Sequence, residues 1–165
     1  MSLIPEDGTG LETANSLVSL AYANAYWTAH PSTAGAWATA TDPTKEEALL
    51  VATVQVCRYS FLGCPLSSSQ ALALPRSWPY IDGRAVAAMP APILDAVCEY
   101  ARKHLDKPLN ASLKRGGEIA SQGVGPMAQS FFPGAPGGNT YPYERSLLRP
   151  YLAAGSGQAE AVLSS

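Results

Sequence analysis

Charged side chains are scarce in this sequence. They make up 15% of 165 residues, whereas about 25% is usual in a soluble domain. The formal net charge is −2 and the sequence pI is about 5.6, so the chain lacks the basic character of a dedicated nucleic-acid-binding domain. A surface with few charges favours association with other proteins. The composition therefore predicts a subunit of a larger assembly.

Long apolar runs are absent as well. No stretch reaches the roughly 18 apolar residues that a transmembrane helix needs. The first residues, Met-Ser-Leu-Ile-Pro-Glu-Asp, have neither the basic start nor the apolar core of a signal peptide. We expect one domain without membrane association that stays in the cytoplasm unless a larger assembly carries it out.

The side chains that carry most enzyme chemistry are few and poorly placed for it. Cys57, Cys64 and Cys98 form no Cys-x-x-Cys pair, and the two histidines, His30 and His104, stand apart from them. This spacing does not fit a zinc site. The glycine turns lack the Lys and Ser or Thr of a phosphate-binding loop, and there is no nucleophile elbow. We expect no enzymatic activity, no cofactor and no metal.

Apolar periodicity and turn residues predict a mainly α fold. Three segments have helical periodicity and are bounded by Ser, Thr or Pro. The second carries two adjacent apolar stripes, Leu49-Ala52-Val56 and Leu50-Val54-Cys57, and is expected to be the central helix. The predicted helices run from Ser16 or Ser19 to about His30, from Thr41 to about Tyr59, and from Pro92 to about Asp106.

The remaining segments are rich in turn residues. Residues 60–92 are expected to be irregular, with a turn at Asp82-Gly83, and about 113–132 to form a β-hairpin. The fold prediction is thus a three- to four-helix bundle with one β-hairpin and an extended C-terminal arm. Residues 1–132 would form the helical domain, 133–142 a Gly/Pro linker, and 143–165 the arm and tail.

Basic residues are concentrated near the end of the third predicted helix. They either form a solvated helix end, where cations are favoured, or a surface that faces phosphates or an acidic partner. The cluster, five of the eleven basic residues, consists of Arg102, Lys103, Lys107, Lys114 and Arg115.

Aromatic residues and two arginines alternate between positions 58 and 80. Aromatic platforms beside cations are typical of single-stranded nucleic-acid binding, while packing in the core or at an interface is the alternative. The residues concerned are Arg58, Tyr59, Phe61, Arg76, Trp78 and Tyr80.

Several motifs follow one another along the chain: Glu6-Asp7-Gly8-Thr9-Gly10, Ala14-Asn15-Ser16, Trp37, Gln70 to Arg76, the Pro92 helix, Gly123-Val124-Gly125-Pro126 and Leu148-Arg149-Pro150. Taken in this order, they resemble one bacteriophage and prophage protein group. Its members are labelled DnaT-like single-stranded-DNA-binding proteins, and their size and gene neighbourhood are similar to those of head–tail connector adaptors of long-tailed phages. The long Gly/Pro insert at 133–142 departs from the group's pattern.

The adaptor resemblance implies a structural role in the virion neck. Subunits would form a homo-oligomeric, twelve-fold ring under the portal protein, bind a tail-side neck or tail-terminator protein, and let genomic DNA pass through. The alternative is a DnaT-like replication accessory that binds single-stranded DNA, with the basic cluster facing it. The expected partner contacts are the hairpin tip, Gly123, Val124 and Gly125, and the arm, Leu147, Leu148, Arg149 and Tyr151.

Overall fold

The computed structural model of the protein describes residues 2–109, 121–124, 127–130 and 141–153. This part of the chain is mainly helical with one β-hairpin, which confirms the predicted fold class. The helices are α1 (Leu20–Ala29), α2 (Asp42–Cys57), α3 (Ala91–Asp106) and α4 (Pro142–Leu148). Two short antiparallel pairs join β1 (Cys64–Pro65) to β2 (Arg76–Ser77) and β3 (Ser121–Val124) to β4 (Met127–Ser130).

The first helix is capped by one of the two serines considered. The hydroxyl of Ser19 accepts a hydrogen bond from the backbone N–H of Tyr22 at 3.1 Å, which satisfies one of the free donors of the first turn. Ser16 is fully buried, and its hydroxyl donates to the carbonyl of Val18 at 2.7 Å. Ser19 is therefore the cap, and Ser16 anchors the preceding segment.

The core is centred on α3. Helix α3 contacts α1, α2 and α4, and its contact with α2 is the most extensive. The stripe Leu49-Ala52-Val56 of α2 is buried against it, but Val54 of the second stripe is 54% exposed. The expectation that α2 is the central helix is therefore wrong, because α3 contacts the other three helices and the second stripe of α2 is only partly buried.

The C-terminal segment packs on the core, contrary to the predicted arm. Pro142 stands in the first turn of α4, and a short 3-10 turn, Arg149–Tyr151, follows the helix. Leu148 is fully buried, and Leu152 forms an antiparallel bridge with Phe61. The extended arm is thus wrong over 142–153, since the Leu148 side of the segment is covered by α3. Residues 133–140 of the linker and 154–165 of the tail lie outside the described residues.

The loop between α2 and α3 is organised by one arginine. The Arg76 guanidinium donates to the carbonyl oxygens of Leu62 at 2.8 Å, Gly63 at 2.7 Å and Ala73 at 3.2 Å. Gly63 has a φ of +71°, and a Cβ there would collide with the backbone oxygen of Ser77. These contacts hold an irregular segment in a defined path without helix or long strand.

Within the described ranges, no helix combines the length and apolarity needed to cross a membrane.

Candidate functional site

Arg102 of the basic cluster has its charge compensated within the chain. Its Nη1 lies 2.8 Å from Oδ2 of Asp106, and its Nε lies 3.8 Å from Oε2 of Glu99. The guanidinium also lies over the ring of Trp27, 5.9 Å from the centroid. Arg102 therefore belongs to the α1–α3 interface, and its charge is not free to bind phosphate.

Lys103 is held by an acidic residue from the C-terminal segment. Its Nζ lies 2.8 Å from Oε1 of Glu144, whose side chain is fully buried. The same ammonium lies over the ring of Tyr141 at 5.3 Å. Lys103 thus acts within the fold, as the counter-ion of a buried carboxylate.

The other members of the basic cluster have different positions. Lys107 is exposed and follows the last residue of α3, as expected for a solvated helix end. Lys114 and Arg115 lie outside the described residues. Of the three described members, only Lys107 fits the predicted DNA-facing surface, because Arg102 and Lys103 are paired with carboxylates.

Most of the aromatic segment is committed to packing. The Tyr59 hydroxyl lies 2.9 Å from that of Tyr100, Phe61 is buried, and Trp78 stands edge-on to both Phe61 and Tyr151. Tyr80, by contrast, is 76% exposed. The packing alternative therefore holds for three of the four aromatics, and Tyr80 is open to a partner.

The two arginines of this segment differ in the same way. Arg76 is occupied by loop carbonyls, as described above, whereas Arg58 is exposed and has its guanidinium 3.5 Å from the Gln55 side chain.

A groove of about 610 Å³ has Ile81, the residue that follows Tyr80 in the chain, among its lining residues. The two-residue turn Asp82-Gly83 forms one lip: both residues have positive φ, as type I′ hairpin turns require. The backbones of Ile81 and Arg84 exchange two hydrogen bonds across it, at 3.0 and 2.9 Å, which confirms the predicted turn. The wall is completed by Ala85, Val86, Ala87, Pro90, Ala91, Pro92, Pro150 and Tyr151.

Positive charge is available at this groove. Arg84 lines it and Arg149 directly precedes its wall residue Pro150; both are exposed. Neither forms an ion pair with any described residue, and Asp82 is the acidic residue of the lining. Burial raises the pKa of the Tyr151 phenol, so this ring stays neutral. The groove is thus lined by small apolar residues together with Arg84 and Asp82, and the exposed residues Tyr80 and Arg149 are sequence neighbours of its lining residues.

The predicted partner contacts lie in different surroundings. In the hairpin, Gly123 pairs with Ala128 and Val124 with Met127, while Gly125 lies outside the described residues. In the C-terminal segment, Leu147 is half-buried and Leu148 is inside the core. Leu148 is therefore removed from any partner surface because it packs against the helices. Arg149 and Tyr151 instead lie at the groove.

Two residues of this region were not singled out from the sequence. Glu144 stands one helical turn before Leu148, on the face that α3 covers. An acidic residue on an otherwise apolar helix face is the sequence feature that could have identified it. Arg84 follows the Asp-Gly turn. It lines the same groove as Tyr151 because of tertiary contacts, which a local sequence pattern does not predict. Among the described residues, no three His, Cys, Asp or Glu side chains are grouped to hold a metal ion.

The chain matches one protein family along nearly its whole length. Residues 1–164 match the family described as "putative DnaT-like ssDNA binding protein". The chain belongs to this family. No curated protein and no solved structure matches it significantly.

Proposed function

We propose that the protein binds single-stranded DNA at the groove lined by Arg84 and Tyr151, with Tyr80 and Arg149 contributing from positions next to lining residues. The observation that carries this proposal is a groove lined by Arg84, next to which stand the exposed Tyr80 and Arg149, with neither arginine in an ion pair with a described residue. Membership of the DnaT-like family supports the same ligand. The basic cluster of 102–115 is less suited, since two of its described members are paired with carboxylates.

Each groove residue has a defined part in such binding. The Tyr80 ring is free to stack on a base, a contact that tolerates any sequence. Arg84 and Arg149 would neutralise backbone phosphates, and the apolar walls would cover a sugar or base. With about two phosphates neutralised, the logarithm of affinity should fall with the logarithm of salt concentration with a slope of about −1.4. We expect modest, salt-sensitive affinity, in keeping with the acidic pI.

The experiment is a fluorescence-anisotropy titration of labelled oligo-dT with wild type, Tyr80→Ala, Arg84→Gln and Lys107→Gln. Arg84→Gln should lower the affinity and flatten the salt slope by about 0.7. Tyr80→Ala should lower the affinity and leave the salt slope unchanged. Lys107→Gln is the matched control, because it removes one exposed charge at the far end of the 16-residue α3, about 24 Å from the groove. An effect confined to Lys107→Gln would move the site to the basic cluster.

A second candidate function is that of a head–tail adaptor subunit in a phage virion neck. The outer stripe of α2 supports it: Val54 is 54% exposed and Leu50 half-buried, between exposed Glu47 and Arg58. An apolar stripe bordered by opposite charges suits contact between subunits. In this role copies of the chain would form a ring between the portal protein and a tail-side protein.

A substitution with its matched control and a C-terminal deletion test the adaptor role. Val54→Asp should reduce the oligomer observed by analytical ultracentrifugation, while Ala21→Asp, which adds the same charge at an exposed position of α1, should not. Deleting 154–165 should abolish portal attachment and keep the fold. Deleting from 143 would remove the buried Leu148 and is unsuitable. A monomeric wild type that does not bind portal would contradict this role.

A further inference from the structure

The ion pair between Lys103 and the buried Glu144 joins α3 to α4, the helix that precedes the groove wall. We propose that these two residues are positioning residues: by fixing α4 on α3, they place the wall formed by Arg149, Pro150 and Tyr151. This inference rests on the proposed function. It also gives Lys103 a role different from direct contact with phosphate.

The geometry of this ion pair suits a role in orienting α4 better than a role in stabilising the fold. Glu144 is fully buried, and Lys103 Nζ, 2.8 Å from its Oε1, is the cation paired with it. Beyond this ion pair, neither carboxylate oxygen has a hydrogen-bond partner among the described residues. A buried carboxylate compensated by one cation recovers little of its desolvation cost, whereas removing that cation leaves an unpaired buried charge. The pair therefore permits one placement of α4 and penalises the others.

The groove wall is continuous with the helix that the pair fixes. Helix α4 ends at Leu148, and the 3-10 turn of the wall begins at the next residue. Further on, the carbonyl of Tyr151 accepts from the N–H of Leu62 at 2.9 Å, and the N–H of Ala153 donates to the carbonyl of Ser60 at 2.9 Å. The wall is thus held at one end by the ion pair and at the other by the 60–62 segment.

The test compares Lys103→Met with the double variant Lys103→Met/Glu144→Met in the oligo-dT titration. The single variant leaves Glu144 buried without its counter-ion, so α4 should undock in part. Apparent affinity then falls with the docked fraction; we expect a loss of about tenfold or more with an unchanged salt slope. The double variant replaces the pair with apolar side chains, which is often tolerated, and should recover most of the affinity.

A direct phosphate contact by Lys103 predicts the opposite pattern. Both variants would then bind weakly, and both salt slopes would flatten by about 0.7. That result would overturn the positioning role while leaving DNA binding in place.

A second readout separates this inference from the proposed function. Hydrogen exchange at the amides of Leu62 and Ala153 reports wall docking without any DNA. Lys103→Met should accelerate exchange at both amides, and the double variant should restore protection. If wild type binds no DNA but shows this pattern, only the proposed function fails. If Lys103→Met leaves exchange unchanged, the positioning role is refuted whatever the DNA result.

Discussion

The hydroxyl of Tyr26 on α1 donates a 2.9 Å hydrogen bond to Oε1 of Glu99 on α3. One turn earlier on both helices, the hydroxyl of Tyr22 donates to Oδ1 of Asp95 at 2.8 Å. Both pairs are four residues apart on their helices, so they form two successive contacts along one interface. The Tyr26 hydroxyl thereby supplies a hydrogen-bond partner to the buried Glu99 carboxylate.

Replacing Tyr26 with Phe should destabilise the protein by about 1.5–3 kcal/mol, the range for a hydrogen bond to a charged group. The ring would still pack on Trp27, so the loss reports the hydroxyl. Urea unfolding of Tyr26→Phe measures it. Tyr80→Phe, at a residue that is 76% exposed, is the matched control and should be neutral. Equal stability of both variants would contradict the assigned contact.

Stability should decline at alkaline pH. Burial, followed by the bonds to Asp95 and Glu99, raises the pKa of Tyr22 and Tyr26 above the usual value. In the unfolded chain these phenols ionise at about pH 10. Because the folded state keeps its protons to higher pH, stability is fully present below about pH 10 and is lost as the pH rises beyond it.

The measurement for this pH dependence is the urea midpoint between pH 8 and 11. Wild type should lose stability above pH 10 more steeply than the double variant Tyr22→Phe/Tyr26→Phe, which cannot ionise at these positions. Identical slopes for the two proteins would rule out a contribution from the two tyrosines.

Glu6 should be essential to the N-terminal turn. Its carboxylate accepts from the backbone N–H groups of Gly8 at 3.1 Å, Gly10 at 2.9 Å and Leu11 at 3.0 Å, and it is 7% exposed. Glu6→Ala removes the acceptor for all three donors and should cost about 2–3 kcal/mol. Glu12→Ala, at an exposed acid nearby, should leave the unfolding free energy unchanged. A neutral Glu6→Ala would mean that water replaces the carboxylate.

Leu148→Ala should reveal that the C-terminal segment belongs to the core. Truncating a fully buried leucine costs about 2–5 kcal/mol, and Leu148 has no exposed surface. Leu66→Ala makes the same truncation at a residue that is 51% exposed and should cost far less. If thermal unfolding shows equal effects, α4 is not docked in solution.

Local patterns predicted much of the fold. The helix start at Thr41 and the Asp82-Gly83 turn involve neighbours in sequence and were predicted, and Ser19 was one of the two serines predicted to cap α1. Helix α4 was missed because it has seven residues and its burial depends on a distant helix. Composition and periodicity carry no information about that contact.

The site was harder to predict than the fold for the same physical reason. A count of cations included Arg102 and Lys103 in a DNA-facing cluster, but it could not show that Glu99, Asp106 and Glu144 neutralise them. The tertiary structure pairs these charges, whereas Arg84 and Arg149 form no ion pair with the residues that the structure describes.

Salt dependence of oligo-dT binding by the wild-type protein tests the central claim most directly. The account predicts measurable binding at low salt and a slope of about −1.4 in log affinity against log salt concentration. It also predicts a slope of about −0.7 after Arg84→Gln. No binding at low salt, or binding whose slope Arg84→Gln leaves unchanged, would contradict a DNA site at the groove.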